Sequence, residues 1–183
     1  MTEPVRAFAT INLLEYRFCA YIHRAGRWSA VRYPFLAVSR LGDGPVWYAF
    51  LLSLPVFAGA YGWMAALAMA LGGLVGLVIY KGLKAVLARE RPCLSHPDIN
   101  PLTAPLDRYS FPSGHTLHAV FFAVAGAAWF PDLGPALFAF ALLVATSRPL
   151  LGLHYPSDVL VGGLIGWSLA ELVLALMPPA LYA

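Results

Sequence analysis

Residues 46–87 contain no acidic side chain, and their only basic ones, Lys81 and Lys84, stand in the last two turns of the run. Further apolar runs cover residues 114–130, 135–147 and 157–177. A water-soluble domain of 183 residues has too little interior to bury all of them. The chain is 60% apolar and 11% charged, against about 45–50% and about 25% in soluble domains. A bilayer supplies the apolar solvent that the chain cannot provide for itself. The expected fold class is all-α, a polytopic membrane helical bundle.

Gly62 divides the longest run into spans at 46–61 and 63–87, so five spans are expected from residue 46 onward. Residues 5–24 are apolar on one side and carry Glu15 and Arg17 on the other. Their apolar part, residues 7–22, reaches about 24 Å as a helix, short of the ~30 Å hydrocarbon core. It reads as an amphipathic helix at the interface or as a short first span, giving five to six transmembrane helices. Residues 25–44 read as a basic connector with a short helical piece at 33–41. The expected organisation is an N-terminal interfacial segment at 1–44, a membrane core at 45–177, and a tail at 178–183 after Pro178 and Pro179 stop the last span. Gly72 with Gly76, and Gly162 with Gly166, have the spacing that lets helices approach closely. Cys19 and Cys93 are expected to be free thiols, and no cleavable signal pattern is evident. The net charge of +3 does not imply nucleic acid, because the basic residues form no Lys/Arg run with interleaved aromatics.

The polar residues of the apolar half gather in three short segments at helix ends. The first holds Lys84, Arg89, Arg91 and Pro92. The second is Pro112-Ser113-Gly114-His115. The third holds Ser147, Arg148, His154 and Asp158. Counting crossings brings them together. The span ending near Lys84, the helix starting at Gly114, the helix returning near Ser147 and the last span all meet one membrane face.

Such a cluster suits phosphoryl transfer, which needs donors for three phosphoryl oxygens, an in-line nucleophile and an acid for the leaving group. Lys84, Arg91 and Arg148 supply charge, and the planar arginine fork matches phosphate oxygens. Ser113 and Gly114 open a helix whose free N–H groups favour an anion. His154 and Asp158 are four residues apart, so the carboxylate can accept from one ring nitrogen and leave the other nucleophilic. His115, from the opposite segment, is placed to protonate the leaving alkoxide and then to serve as base for water. His154 with Asp158, or His115 with His118, also has the spacing of a metal pair. Three cations nearby would repel a divalent ion, so no metal and no cofactor is expected.

The three segments together resemble the type 2 phosphatidic acid phosphatase superfamily. Its signature of Lys, six residues, Arg-Pro is matched by Lys84, Arg91 and Pro92. Pro-Ser-Gly-His is matched by residues 112–115. Ser-Arg, five residues, His, three residues, Asp is matched by Ser147, Arg148, His154 and Asp158. The resemblance implies metal-independent hydrolysis through a phosphohistidine on His154, supported by Asp158, with His115 as general acid and base. It also implies a phosphate cradle of Lys84, Arg91, Ser113, Gly114 and Arg148. The implied substrates are phosphatidic acid, phosphatidylglycerol phosphate, polyprenyl pyrophosphates such as undecaprenyl pyrophosphate, lipid A phosphates or sphingoid phosphates, and membrane lipids are the expected surroundings.

The same residues would serve a lipid phosphotransferase, and a non-enzymatic scaffold or transporter is the alternative of a different class. Analogy with bacterial recycling phosphatases places the site on the periplasmic side of the inner membrane. Arg24, Arg27, Arg32 and Arg40 lie on the site's side and point the other way by the positive-inside rule. His96, Asp98, Asp107 and Arg108 fall in the loop at 93–110 and are expected to be ordinary solvated positions. Glu171 lies too far along the last span to reach the site. The sequence leaves the oligomeric state open.

Overall fold

A computed structural model of the chain describes residues 3–177, and the expected tail at 178–183 lies outside them. Seven α-helices follow in order: α1 Glu3–Ala25, α2 Ser29–Gly42, α3 Pro45–Leu87, α4 Pro92–Ser95, α5 Gly114–Trp129, α6 Gly134–Leu150 and α7 Pro156–Ala175. No strand occurs among the described residues, which makes the fold all-α. Among the described residues, three helical stretches are long and apolar enough to cross a membrane: Pro45–Leu87, Pro131–Leu150 and Pro156–Ala175. The connector before residue 45 is more helical than its sequence suggests, since α2 spans its last two thirds and accommodates Pro34.

The long helix α3 is not straight. Gly59 takes φ 56°, ψ −133°, inside otherwise helical residues, a region that glycine enters without a Cβ clash. A Cβ on Gly62 would overlap the Leu54 carbonyl, so the chain has doubled back by that point. Trp47 on the first leg stacks on Phe122, and Gly73 on the second leg lies against the same ring. The expected hairpin is therefore present, with its break at Gly59.

α5 is the axis of the bundle and packs against α3, α6 and α7. Its buried side chains, Leu117, Phe121 and Phe122 among them, join Trp47, Met69, Val144 and Leu169 in the core. Both glycine pairs serve this helix. Side chains at Gly162 and Gly166 would run into the backbone of Ser113 and Leu117, and at Gly72 and Gly76 into Phe121 and Leu117. Outward from that axis, Leu52, Phe57, Trp63, Leu67, Val78, Leu142, Leu160 and Leu164 are exposed. A belt of that size on a chain with so few charges is lipid-facing surface.

Candidate active site

The three polar segments meet at one end of the bundle, around a cavity of about 790 Å³. Lys84, Arg91, Gly114, His115, Arg148 and His154 line it. Ser113 and Asp158 stand behind these six. Apolar groups of both α3 legs, including Trp47, Leu51, Leu74 and Leu77, continue the wall away from the charges.

Each side chain is held by its element. Ser113 is the N-cap of α5, and its hydroxyl is engaged with the N–H and hydroxyl of Thr116. The Ser113 N–H donates to the Asp158 carbonyl at 3.0 Å, which locks the start of α5 to the start of α7. His115 therefore sits one residue inside α5, opposite His154, which precedes α7. Arg148 is in the last turn of α6, buried, with one guanidinium N–H on the Ser39 hydroxyl and its Nε without a hydrogen-bond partner.

Arg91 fixes the state of His154. Its NH1 group lies 3.1 Å from His154 Nε2 and also donates to the Leu153 carbonyl at 2.8 Å. Guanidinium only donates, so Nε2 accepts and the proton of a neutral ring belongs on Nδ1. Nδ1 faces Asp158 Oδ2 at 3.6 Å. Burial and then the charges of Arg91, Arg148 and Lys84 hold the His154 imidazole well below the usual histidine range. The outcome is a neutral ring whose Nε2 lone pair points toward the cations and accepts from Arg91.

Two further carboxylates stand in the site. Asp107, expected to be a solvated loop residue, instead accepts from Lys84 Nζ at 2.7 and 2.9 Å and from Arg91 NH2 at 2.7 Å. Burial acts to raise its carboxyl, but Lys84 and Arg91 outweigh that and hold it below the usual range. Asp43, in the turn between α2 and α3, pairs with His115 Nε2. Asp43 belongs to the Gly-Asp-Gly-Pro stretch that closes the connector. Asp98 does remain at the surface, accepting from the Tyr16 hydroxyl at 2.6 Å. Arg108 pairs with Glu90 in the open, and Glu171 is exposed and remote. Cys19 and Cys93 are free thiols.

A third group is buried beside His154. Arg89 is bonded to Asp158, and Glu15 of α1 to Arg89, both at 2.6 Å. The sequence groups Glu15 with Arg17 on the polar side of α1; Glu15 turns inward to Arg89, whereas Arg17 is exposed.

The chain's likenesses agree with this geometry. The sequence profile of the PAP2 superfamily matches residues 57–181. Over 80 residues the chain is 42% identical to the decaprenylphosphoryl-5-phosphoribose phosphatase of Mycolicibacterium smegmatis, covering 44% of this chain and 42% of that one. Its fold is similar to LpxE of Aquifex aeolicus, with TM-score 0.78 and 27% identity over 88% of this chain and 95% of that one. It is also similar to the PAP2-type phosphatidylglycerolphosphate phosphatase of Bacillus subtilis, with TM-score 0.72 and 25% identity over 96% of each. The chain spans well under half the length of the bacterial curated relatives it matches.

Proposed function

Since this chain belongs to the PAP2 superfamily, we propose that it is an integral membrane phosphatase that removes phosphate from a lipid through a phosphohistidine on His154. The cavity carries this reading. It joins His115, His154, Lys84, Arg91 and Arg148 at one end to an apolar wall at the other, as an amphiphilic phosphate ester requires.

The reaction runs in two displacements. An incoming phosphate takes the place of the Asp107 carboxylate between Lys84 and Arg91, and Arg148 binds it through its unpaired Nε. Ser113 and Gly114 contribute through the N-terminus of α5. His154 Nε2 attacks phosphorus, the bond to the lipid oxygen breaks, and His115 gives that oxygen its proton. The Nδ1 proton stays on the ring, facing Asp158. Water then gives a proton to His115 and attacks phosphorus, the P–N bond breaks, and inorganic phosphate leaves. No step calls for a metal ion.

Phosphatidic acid, phosphatidylglycerol phosphate and undecaprenyl pyrophosphate are the substrate classes we assign. In the membrane, the two legs of α3 make two crossings and α5, α6 and α7 one each, with α1 as a sixth or as an interfacial helix. We read 1–44 as an N-terminal segment, whose described part from residue 3 is docked on the core at 45–177. We place the site on the periplasmic face of a bacterial inner membrane. An Arg108→Cys variant, at an exposed loop position, should react with a membrane-impermeant thiol reagent in cells with a permeable outer layer and an intact inner membrane. Labelling only after lysis overturns that placement.

A panel of purified lipid phosphates in detergent tests the function. Phosphate release from at least one of them, undiminished by chelator and lost in His154→Ala, is expected. Full activity in that variant, or inactivation of the wild type by chelator, removes the mechanism. Transfer of the phosphate to an added alcohol in preference to water would reassign the chain as a phosphotransferase.

A further inference from the structure

Arg89 has no part in the cavity, yet it is among the most buried side chains of the chain, with 0% side-chain exposure. Its guanidinium bonds to Asn12, Ser157, Asp158 and Glu15. Nε donates to Asn12 Oδ1 at 2.9 Å, NH1 to Ser157 Oγ and to Asp158 Oδ1 at 2.6 Å each, and NH2 to Glu15 Oε2 at 2.6 Å. Its plane lies over the Tyr155 ring, 4.1 Å from the centroid. Glu15 reaches the same place from α1. Its Oε1 accepts from the Ser157 N–H at 2.6 Å, and its Oε2 from the Ser157 hydroxyl at 2.8 Å.

This cluster decides what Asp158 can do. The carboxylate is fully buried, and a buried carboxylate stays ionised only where charge and hydrogen bonds compensate its lost hydration. Arg89 is the cation that touches it. Oδ1 is tied to Arg89 and Oδ2 to the Tyr155 N–H at 2.8 Å, so the carboxylate cannot turn. What remains of Oδ2 faces His154 Nδ1. Arg89 in turn is a buried cation that one carboxylate shared with a histidine does not fully satisfy, and Glu15 completes it.

α1 does more than supply Glu15. Residues 15, 19 and 23 recur at one helical turn and share a face. Glu15 holds the Ser157 N–H, Cys19 Sγ lies 3.9 Å from the His154 carbonyl, and His23 Nδ1 lies 3.1 Å from the Leu150 carbonyl. One face of the N-terminal helix thus braces the segment at 150–158 that carries His154. Asn12, Glu15, Cys19 and His23 all precede the stretch matched by the PAP2 profile.

We propose that Glu15 and Arg89 are positioning residues for the reaction: acting through Asp158, they hold His154 in its attacking orientation, and α1 is part of the catalytic apparatus as well as a membrane element. This rests on the function proposed above. Neither residue reaches the phosphate cradle, so their loss should slow the chemistry and leave substrate and phosphate binding intact.

The test uses the full chain purified in detergent, with phosphatidic acid in mixed micelles and inorganic phosphate as competitive inhibitor. If phosphatidic acid proves not to be a substrate, the best member of the lipid panel replaces it. Arg89→Gln should lower kcat by about 10- to 100-fold, the scale on which orienting partners act. The KM and the phosphate inhibition constant should stay within about threefold. Arg89→Lys, which keeps the charge, should recover part of the loss. Glu15→Gln, which keeps the shape and removes the charge, should lower kcat with the same split. If Arg89→Gln does not fold, Glu15→Gln and Arg89→Lys decide the matter. Wild-type kcat in Glu15→Gln overturns the proposal. So does a KM or inhibition constant that rises as steeply as kcat falls. The wild type and His154→Ala are measured alongside. If the wild type releases phosphate and His154→Ala does not, the proposed function stands whatever the Arg89 and Glu15 variants do. If the wild type releases none from any lipid phosphate, both readings fall together.

Discussion

Both histidines line the cavity, but His154 is enclosed except on that side, whereas His115 is more open, with one carboxylate beside it. The His154 side chain is 1% exposed and that of His115 is 13% exposed. Arg91 is bonded to Nε2 of the first ring, Asp158 faces its Nδ1 at 3.6 Å without a hydrogen bond, Arg89 holds Asp158, and α1 meets the His154 backbone. Asp43, on the turn between α2 and α3, pairs with the second. The difference follows from the work proposed for each. A nucleophile must hold one nitrogen in line with phosphorus, and misplacement by about 1 Å can cost on the order of 100-fold. A proton donor must exchange its proton with leaving group and water, so it needs access.

The hardest way to break that contrast is to remove each ring in turn. His154→Ala should cost at least about 10⁴-fold in phosphate release, the order seen when a covalent catalyst loses its nucleophile. His115→Ala should cost about 10²- to 10⁴-fold, the usual range for a general acid. Leaving-group chemistry sharpens the distinction. A nitrophenyl phosphate needs no proton on its leaving oxygen, so the first displacement should recover in His115→Ala and not in His154→Ala. Equal losses in both variants with both substrates would erase the assignment of separate roles.

Smaller effects probe the partners. Asp43→Asn should lower kcat by about tenfold if the carboxylate orients His115, and an unchanged kcat would leave Asp43 as turn chemistry only. In pH profiles, the His154 ring lies well below the usual range, so its neutral, attacking form persists as pH falls through ~6.5. The acid limb of kcat/KM belonging to it should therefore lie below that pH. A limb centred at 6.5 or above that is assigned to His154 by substitution would contradict its enclosure. The same lowering makes acid destabilising, because the unfolded chain takes up the proton first as pH drops. The smallest expected effect is at Asp107, whose side chain is 43% exposed. Ion pairs with such exposure are worth about 0.2–1 kcal/mol. Asp107→Asn should thus tighten inhibition by inorganic phosphate by up to about fivefold, and weaker inhibition would mean that Asp107 orders the cradle instead of competing for it.

Much of this site can be read from residue order because its parts are local. The helix start at Ser113 and Gly114, and the four-residue step from His154 to Asp158, are short-range patterns. The convergence of the three segments followed from counting helix crossings. The charged residues outside those patterns could not be placed that way. Asp43 and Asp107 sit in turns where any solvated carboxylate would look the same. Arg89 reads as one more cation at a span end, and Glu15 as the wet side of an amphipathic helix. Each acquires its partner from a different element: Asp43 from α5, Asp107 from α3 and the stretch after it, Arg89 from α1 and α7. The break in α3 was legible as a hairpin but not to the residue. Gly59 carries the positive φ, while Gly62 marks only the close packing that follows it.

By itself, the sequence determined that the chain is a bundle of apolar helices and that its polar chemistry gathers at one end. Few charges and long apolar runs leave a backbone no other way to satisfy its hydrogen bonds in lipid. Tertiary structure alone decided which carboxylate meets which cation. Burying a charge is tolerated only opposite a specific partner in fixed geometry, and that partner is chosen by the packing of whole helices. Hence the inward face of α1, and the path from Glu15 through Arg89 and Asp158 to His154, exist only in the folded chain.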